Sequence, residues 1–72
     1  MILVVGLGFV GLTTALGFSD VGFNVYAYDI DLEKTSKIKN NKIPFYEPNL
    51  EAILNKNSNK TFFLSDNLKT YL

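Results

Sequence analysis

The chain has no cysteine, no histidine, no tryptophan and no arginine among its 72 residues. Each absence removes a class of chemistry. Without cysteine there is no disulfide to staple a small fold and no thiolate to hold zinc or attack a carbonyl. Without histidine the commonest general base and the commonest metal ligand are gone, so neither a metal site nor a catalytic residue is expected here. Without arginine there is no bidentate phosphate clamp. All seven cations are lysines, balanced by seven acids. A net charge of zero leaves no electrostatic footprint for nucleic acid or an anionic membrane. The opening run MILVVGLGFVGL is too broken by glycine to span a membrane. It lacks a basic segment before it and a cleavage pattern after it, so no signal peptide is expected and the cytoplasm is the expected location. The length allows one small domain at most, near the lower limit for a self-sufficient core.

What is present has a clear order. MILVV, residues 1–5, is a β-branched apolar run ending at glycine and reads as a strand buried on both faces. Residues 9–21 read as a helix with Leu12, Ala15, Leu16 and Phe18 on its apolar side, stopped by Gly22 in the left-handed region. NVYAYD, residues 24–29, alternates Val25 and Ala27 against Tyr26 and Tyr28, a second strand. Asp31 suits the N-cap of a helix over 32–40, which Asn40 and Asn41 end. The two prolines make KIPFYEP an extended loop, and Pro48 opens a helix carrying Leu50, Ile53 and Leu54. NKNSNK reads as a polar connection and TFFL, residues 61–64, as a third strand. Ser65 or Asp66 is placed to cap a last helix. The order β-α-β-α-α-β implies parallel strands with right-handed crossovers. The fold class is α/β, half of a Rossmann doubly wound parallel sheet, truncated after its third strand.

Gly6, Gly8 and Gly11 form GxGxxG between the first strand and the first helix. Chance alone produces such a match in roughly one or two chains per hundred of this size, and a tight turn without a ligand would explain it. The context is what gives it weight. Asp29 closes the second strand, 18 residues after Gly11, near the spacing of about 20 at which an acid meets a ribose. In this reading Gly6 makes the sharp turn, Gly8 clears the backbone for a pyrophosphate, and Gly11 lets helix and strand pack closely. The amides around Phe9 and Val10 have no partner within the helix and face the phosphates. Asp29 accepts from the two adenosine ribose hydroxyls and repels a 2′-phosphate, which favours NAD over NADP.

The string from GLGFVGL through DIDLEK to PFYEPNL resembles the N-terminus of the UDP-glucose/GDP-mannose dehydrogenase family, with GxGYVGL, G-H-x-V, D-x-D-x-x-K and P-x-x-E-P-G-L. Asp29, Asp31 and Lys34 match the second-strand motif; Pro44, Glu47, Pro48 and Leu50 match the proline loop. Phe9 replaces the usual Tyr, Phe23 a common His, and Asn41 and Asn49 stand where Gly is usual, Asn being the residue that best tolerates positive φ. The resemblance implies oxidation of a nucleotide-sugar C6 alcohol to a carboxylate with two NAD. UDP-glucose is the first expectation because IPFYEPNL resembles that branch most. It also implies a catalytic cysteine and lysine far downstream, a homodimeric parent, and a chain that is a partial NAD-binding domain (residues 1–72) lacking the substrate and C-terminal domains. The resemblance places the Lys34 ammonium beside the ribose, assisting Asp29. A non-catalytic dinucleotide-binding module or relic, or another NAD-dependent dehydrogenase, are the alternatives.

The remaining polar residues read as structural. Asp31 is an N-cap, Glu47 fixes the proline loop, Thr13 and Thr14 bond back to helix carbonyls, and Asp20 and Glu33 are solvated helix charges. Tyr26 and Tyr28 pack on the sheet face.

Overall fold

The computed structural model describes residues 1–65 and 67–71. Its elements run β1 (Ile2–Val5), α1 (Phe9–Asp20), β2 (Val25–Tyr28), α2 (Leu32–Lys39), α3 (Pro48–Asn57), β3 (Phe62–Ser65) and a 3-10 turn (Leu68–Tyr71). The strands form one parallel sheet in the order β1-β2-β3, as strands joined by helical crossovers must. Each boundary has a physical cause. Gly22 stops α1 at φ 106°. Its amide and that of Phe23 donate to the carbonyls of Ser19 and Phe18, and the Phe18 and Phe23 rings meet edge to face at 5.8 Å. The Asp31 carboxylate accepts from the amides of Glu33 and Lys34 and starts α2. Asn41, at φ 61°, turns the chain out of α2. Asn49, by contrast, lies in the first turn of α3 with no positive φ, so asparagine there replaces glycine without needing its freedom.

Strand register separates the two sheet faces. The rows Ile2–Val25–Phe62 and Val4–Ala27–Leu64 share one face. There Val25, Ala27 and Phe62 join Leu12, Ala15 and Leu16 of α1, Ile38 of α2, and Leu50 and Leu54 of α3 in a single core. The rows Leu3–Tyr26–Phe63 and Val5–Tyr28–Ser65 stand on the other face. Tyr26 and Phe63 stack there with ring centroids 5.2 Å apart. Leu3 and Val5 remain 38% and 59% exposed, so β1 is covered on one face, not both. A continuous apolar run cannot reveal whether a second layer of helices is present.

Four further local expectations change. Phe18 is exposed, and Ser19 takes the buried position on α1, its hydroxyl 2.6 Å from Thr61 Oγ1. α3 runs on through Asn55, Lys56 and Asn57, shortening the polar connection. Asn57 Nδ2 donates to Asp20 Oδ1 at 3.1 Å and Asn57 Oδ1 accepts from Thr61; these tertiary bonds outweigh the turn preference of Asn and Ser. Asp20 is therefore held by Asn57 and Lys56 and not simply solvated. At the C-terminal end, Asn67 Oδ1 accepts from the Lys69 amide and caps the 3-10 turn, while Ser65 Oγ accepts from the Asn67 amide; Asp66 lies outside the described residues.

Among the described residues β1 has a pairing partner on one side only, and the strand itself carries neither a charge nor a proline to guard its other edge. The 72-residue chain on its own is expected to be marginally stable and to self-associate at micromolar concentration, and Val5→Lys to suppress that association. Size exclusion with light scattering reads both. A monodisperse wild-type monomer melting above about 60 °C overturns the expectation.

Candidate functional site

The C-terminal ends of β1 and β2 meet at the glycine turn. Gly6 adopts φ 94°, a conformation that residues with side chains rarely adopt. Its amide donates to the Tyr28 carbonyl at 2.8 Å, so the turn begins on the last rung of the ladder. The Leu7 side chain is fully buried in the core and anchors the turn from below. Gly8 is the N-cap of α1, with no side chain capping the helix and no acid in its first turn. A Cβ placed on Gly8 meets nothing within 4 Å. A Cβ on Gly11 would run into the Gly6 carbonyl. One glycine therefore clears open space, and the other allows helix and turn to touch.

α1 differs in this from its neighbours. α2 and α3 are capped by the side chains of Asp31 and Glu47. The first α1 bond is from the Leu12 amide to the Gly8 carbonyl at 2.9 Å, which leaves the preceding helix-start amides, those of Phe9 and Val10 among them, without intrahelical acceptors. The Phe9 and Val10 side chains point outward, 59% and 75% exposed. The open space over Gly8 and the uncapped amides fit a pyrophosphate, which would supply the missing acceptors.

Asp29 is 7% exposed. Its Oδ2 accepts from the Leu7 amide at 2.7 Å and its Oδ1 from the Asp31 amide at 2.8 Å. Lys34 Nζ lies 3.4 Å from Oδ2. Burial pushes this carboxyl upward, but the two amides and the Lys34 ammonium outweigh it and hold the group below the ordinary carboxylate value. A carboxylate depressed in the folded state stabilises the fold above its unfolded pKa, and that stability is lost as pH falls through the folded value. Stability is therefore expected to decline below about pH 4, and Asp29→Asn to flatten this acid limb. Urea unfolding between pH 3 and pH 7 measures it; an unchanged limb in the variant rejects the assignment. Asp20, lowered by its Asn57 and Lys56 hydrogen bonds, contributes in the same direction.

The structure thus brings Gly6, Gly8, Phe9, Val10, Gly11, Asp29 and Lys34 to one end of the sheet. Beside Lys34 an open cleft of ≈ 220 Å³, smaller than a typical small-molecule site, is lined by Asp31, Glu33, Lys34, Lys37 and Pro44. Glu47 Oε1 accepts from the Asn49 amide at 3.4 Å, as a loop-fixing residue should. Two features escape a reading of the sequence. Leu7, the variable residue of the first glycine pair, donates its amide to Asp29. Phe45 of the proline loop meets Phe9, the first residue of α1, with ring centroids 5.2 Å apart; the paired aromatics are the available signal. Thr13 also departs from expectation, since its Oγ1 is buried without a hydrogen-bond partner.

A glycine turn, an uncapped helix start and a strand-end acid in one βαβ unit define a dinucleotide-binding module. Residues 1–71 match the UDP-glucose/GDP-mannose dehydrogenase family, NAD binding domain. The chain belongs to that family, and its cofactor is NAD. It is 43% identical over 56 residues to a UDP-glucose 6-dehydrogenase of Bacillus subtilis, covering 78% of this chain and 12% of that protein. Among solved structures, the UDP-N-acetyl-D-mannosamine dehydrogenase of Pyrococcus horikoshii superposes with a TM-score of 0.88 at 33% identity, covering 96% of this chain and 17% of that one. A GDP-mannose dehydrogenase of Pseudomonas aeruginosa, solved as a ternary complex, gives 0.87 at 31% identity, over 96% of this chain and 16% of that one. The chain spans less than a fifth of the length of these relatives. Among the described residues, no helix is long and apolar enough to cross a membrane.

Proposed function

We propose that these residues form the NAD-binding start of a longer, cytoplasmic, homodimeric nucleotide-sugar 6-dehydrogenase. Its substrate in this reading is UDP-glucose, converted to UDP-glucuronate. The observation that carries the cofactor part is the buried Asp29 carboxylate bonded at 2.7 Å to the glycine turn, which makes the ribose-reading acid and the phosphate-facing turn one site. Gly8 clears the pyrophosphate, the Phe9 and Val10 amides donate to it, and Asp29 with Lys34 receives the adenosine ribose. The bound nicotinamide would supply a hydride acceptor. Taking a primary alcohol to a carboxylate removes two hydrides and consumes one water, hence two NAD per turnover. The chain has no cysteine or histidine, so the nucleophile and base come from polypeptide beyond these residues. For the substrate, the support is the UDP-glucose 6-dehydrogenases among the relatives and the IPFYEPNL stretch. UDP-N-acetyl-D-mannosamine dehydrogenases are also among them, so the test must include that sugar.

The experiment is calorimetric titration of the full-length polypeptide with NAD and NADP. NADH production is then followed with UDP-glucose, GDP-mannose and UDP-N-acetylmannosamine in turn. Preference for NAD and turnover of UDP-glucose are expected. Absence of NAD binding rejects the cofactor site; turnover of another sugar alone rejects the substrate.

A further inference from the structure

The acid that would read the ribose is already in use. An ionised carboxylate offers about four lone-pair positions. On Asp29, three are taken in the free protein: Oδ2 by the Leu7 amide and by Lys34 Nζ, and Oδ1 by the Asp31 amide. One position remains, on Oδ1. Two ribose hydroxyls can therefore both bond this carboxylate only if Lys34 withdraws, and its 3.4 Å contact is the longest of the three. The bond from Leu7 is the shortest, and it joins residues 22 apart in the chain.

We propose that Asp29 is also a positioning residue, a latch that holds the glycine turn in its binding shape before any ligand arrives; this rests on the dinucleotide reading above. The Leu7 amide is spent on the carboxylate, so it does not compete for phosphate, and the peptides after it present Gly8 and the α1 start to the ligand. From the other side, the start of α2 fixes the same carboxylate through Asp31 and Lys34. The turn is thereby clamped between β1 and α2, and its ordering cost is met in folding instead of in binding. One carboxylate then couples the ribose end of the ligand to its pyrophosphate end.

The test separates the latch from direct ribose contact by removing the hydroxyls from the ligand. Full-length wild type, Asp29→Ala and Asp29→Asn are titrated with NAD and with an NAD analogue whose adenosine ribose lacks both hydroxyls. If Asp29 only reads the ribose, Asp29→Ala leaves affinity for the analogue unchanged, and that result overturns the latch. The latch predicts that Asp29→Ala weakens the analogue about tenfold, the scale of one charge-assisted hydrogen bond. It also predicts that Asp29→Asn, whose amide oxygen still accepts from Leu7, recovers part of the loss. A ligand-free reading accompanies this with selective ¹⁵N labelling of leucine and glycine. In Asp29→Ala the Leu7 amide resonance should move upfield and exchange faster, while the Gly6 amide, bonded to Tyr28, keeps its exchange rate. General loosening of the fold would move both, and an unmoved Leu7 resonance overturns the latch. Failure of wild type to bind NAD rejects the cofactor site, while the Leu7 resonance still decides whether the latch exists.

Discussion

Gly11→Ala is expected to cost about 3 kcal/mol or more, at the upper end of the range for overpacking a closed site. The added methyl would run into the Gly6 carbonyl, and Val4 Cγ1 stands behind it at 3.9 Å. A flexible side chain could swing away; a carbonyl in a turn cannot, because the Gly6 amide is bonded to Tyr28 and the next amide to Asp29. Relief requires α1 to lift off β1, which opens the core at Leu12. For a domain of this size each kcal/mol moves the melting point by about 4–8 °C, so a drop of at least ~12 °C should appear in thermal circular dichroism. Gly17→Ala is the control. It lies on the same helix, its Cβ would meet nothing within 4 Å, and removing a helix glycine should stabilise by about 0.5–1 kcal/mol. Opposite signs for one chemical change on one helix isolate the steric cause. A Gly11→Ala melt equal to wild type would mean that the close approach does not exist.

How far the sequence speaks depends on whether the governing contact is local. The α1 stop at Gly22, the Asp31 cap of α2 and the alternation of β2 depend on neighbours in the chain, and all are legible. So is the meeting of the glycine turn with Asp29, because strand, turn, helix and second strand force it. What was misread depends on distant partners. Ser19 is buried because Thr61, 42 residues away, meets its hydroxyl. α3 outlasts its apolar pattern because Asn57 bonds Asp20. The exposure of Leu3 and Val5 reflects what lies across the sheet, which no pattern within MILVV encodes. At this end of the sheet the sequence places the glycine turn beside Asp29 but does not show the number of donors on that carboxylate. That count depends on where the Leu7 and Asp31 amides point, and every residue other than proline carries an amide.

Gly8→Val is expected to abolish measurable NAD binding in the full-length protein while leaving the fold intact. The two halves of this expectation have separate grounds. Gly8 has φ −71° and ψ −168°, an extended conformation open to any residue, and its Cβ would project into empty space. The first carbon of the new side chain meets no neighbour, so far-UV circular dichroism should stay near wild type, with at most the modest loss of stability that replacing an N-cap glycine by valine brings, about 1 kcal/mol. The loss falls on the ligand. The space over Gly8 is where the helix-start amides would meet a pyrophosphate, and an isopropyl group there displaces the phosphates from donors whose bonds to charged groups are worth about 1.5–3 kcal/mol each. Losing two such bonds lowers affinity by more than ~100-fold. Gly8→Ala, with one methyl, should give an intermediate loss, so that affinity falls with side-chain volume at nearly constant stability. Calorimetry and thermal melts on the same samples read both axes. Retained NAD affinity in Gly8→Val would show that the phosphates do not pass over this residue. A collapse of the melting point would show that the space over Gly8 is occupied by the protein itself in the full-length polypeptide.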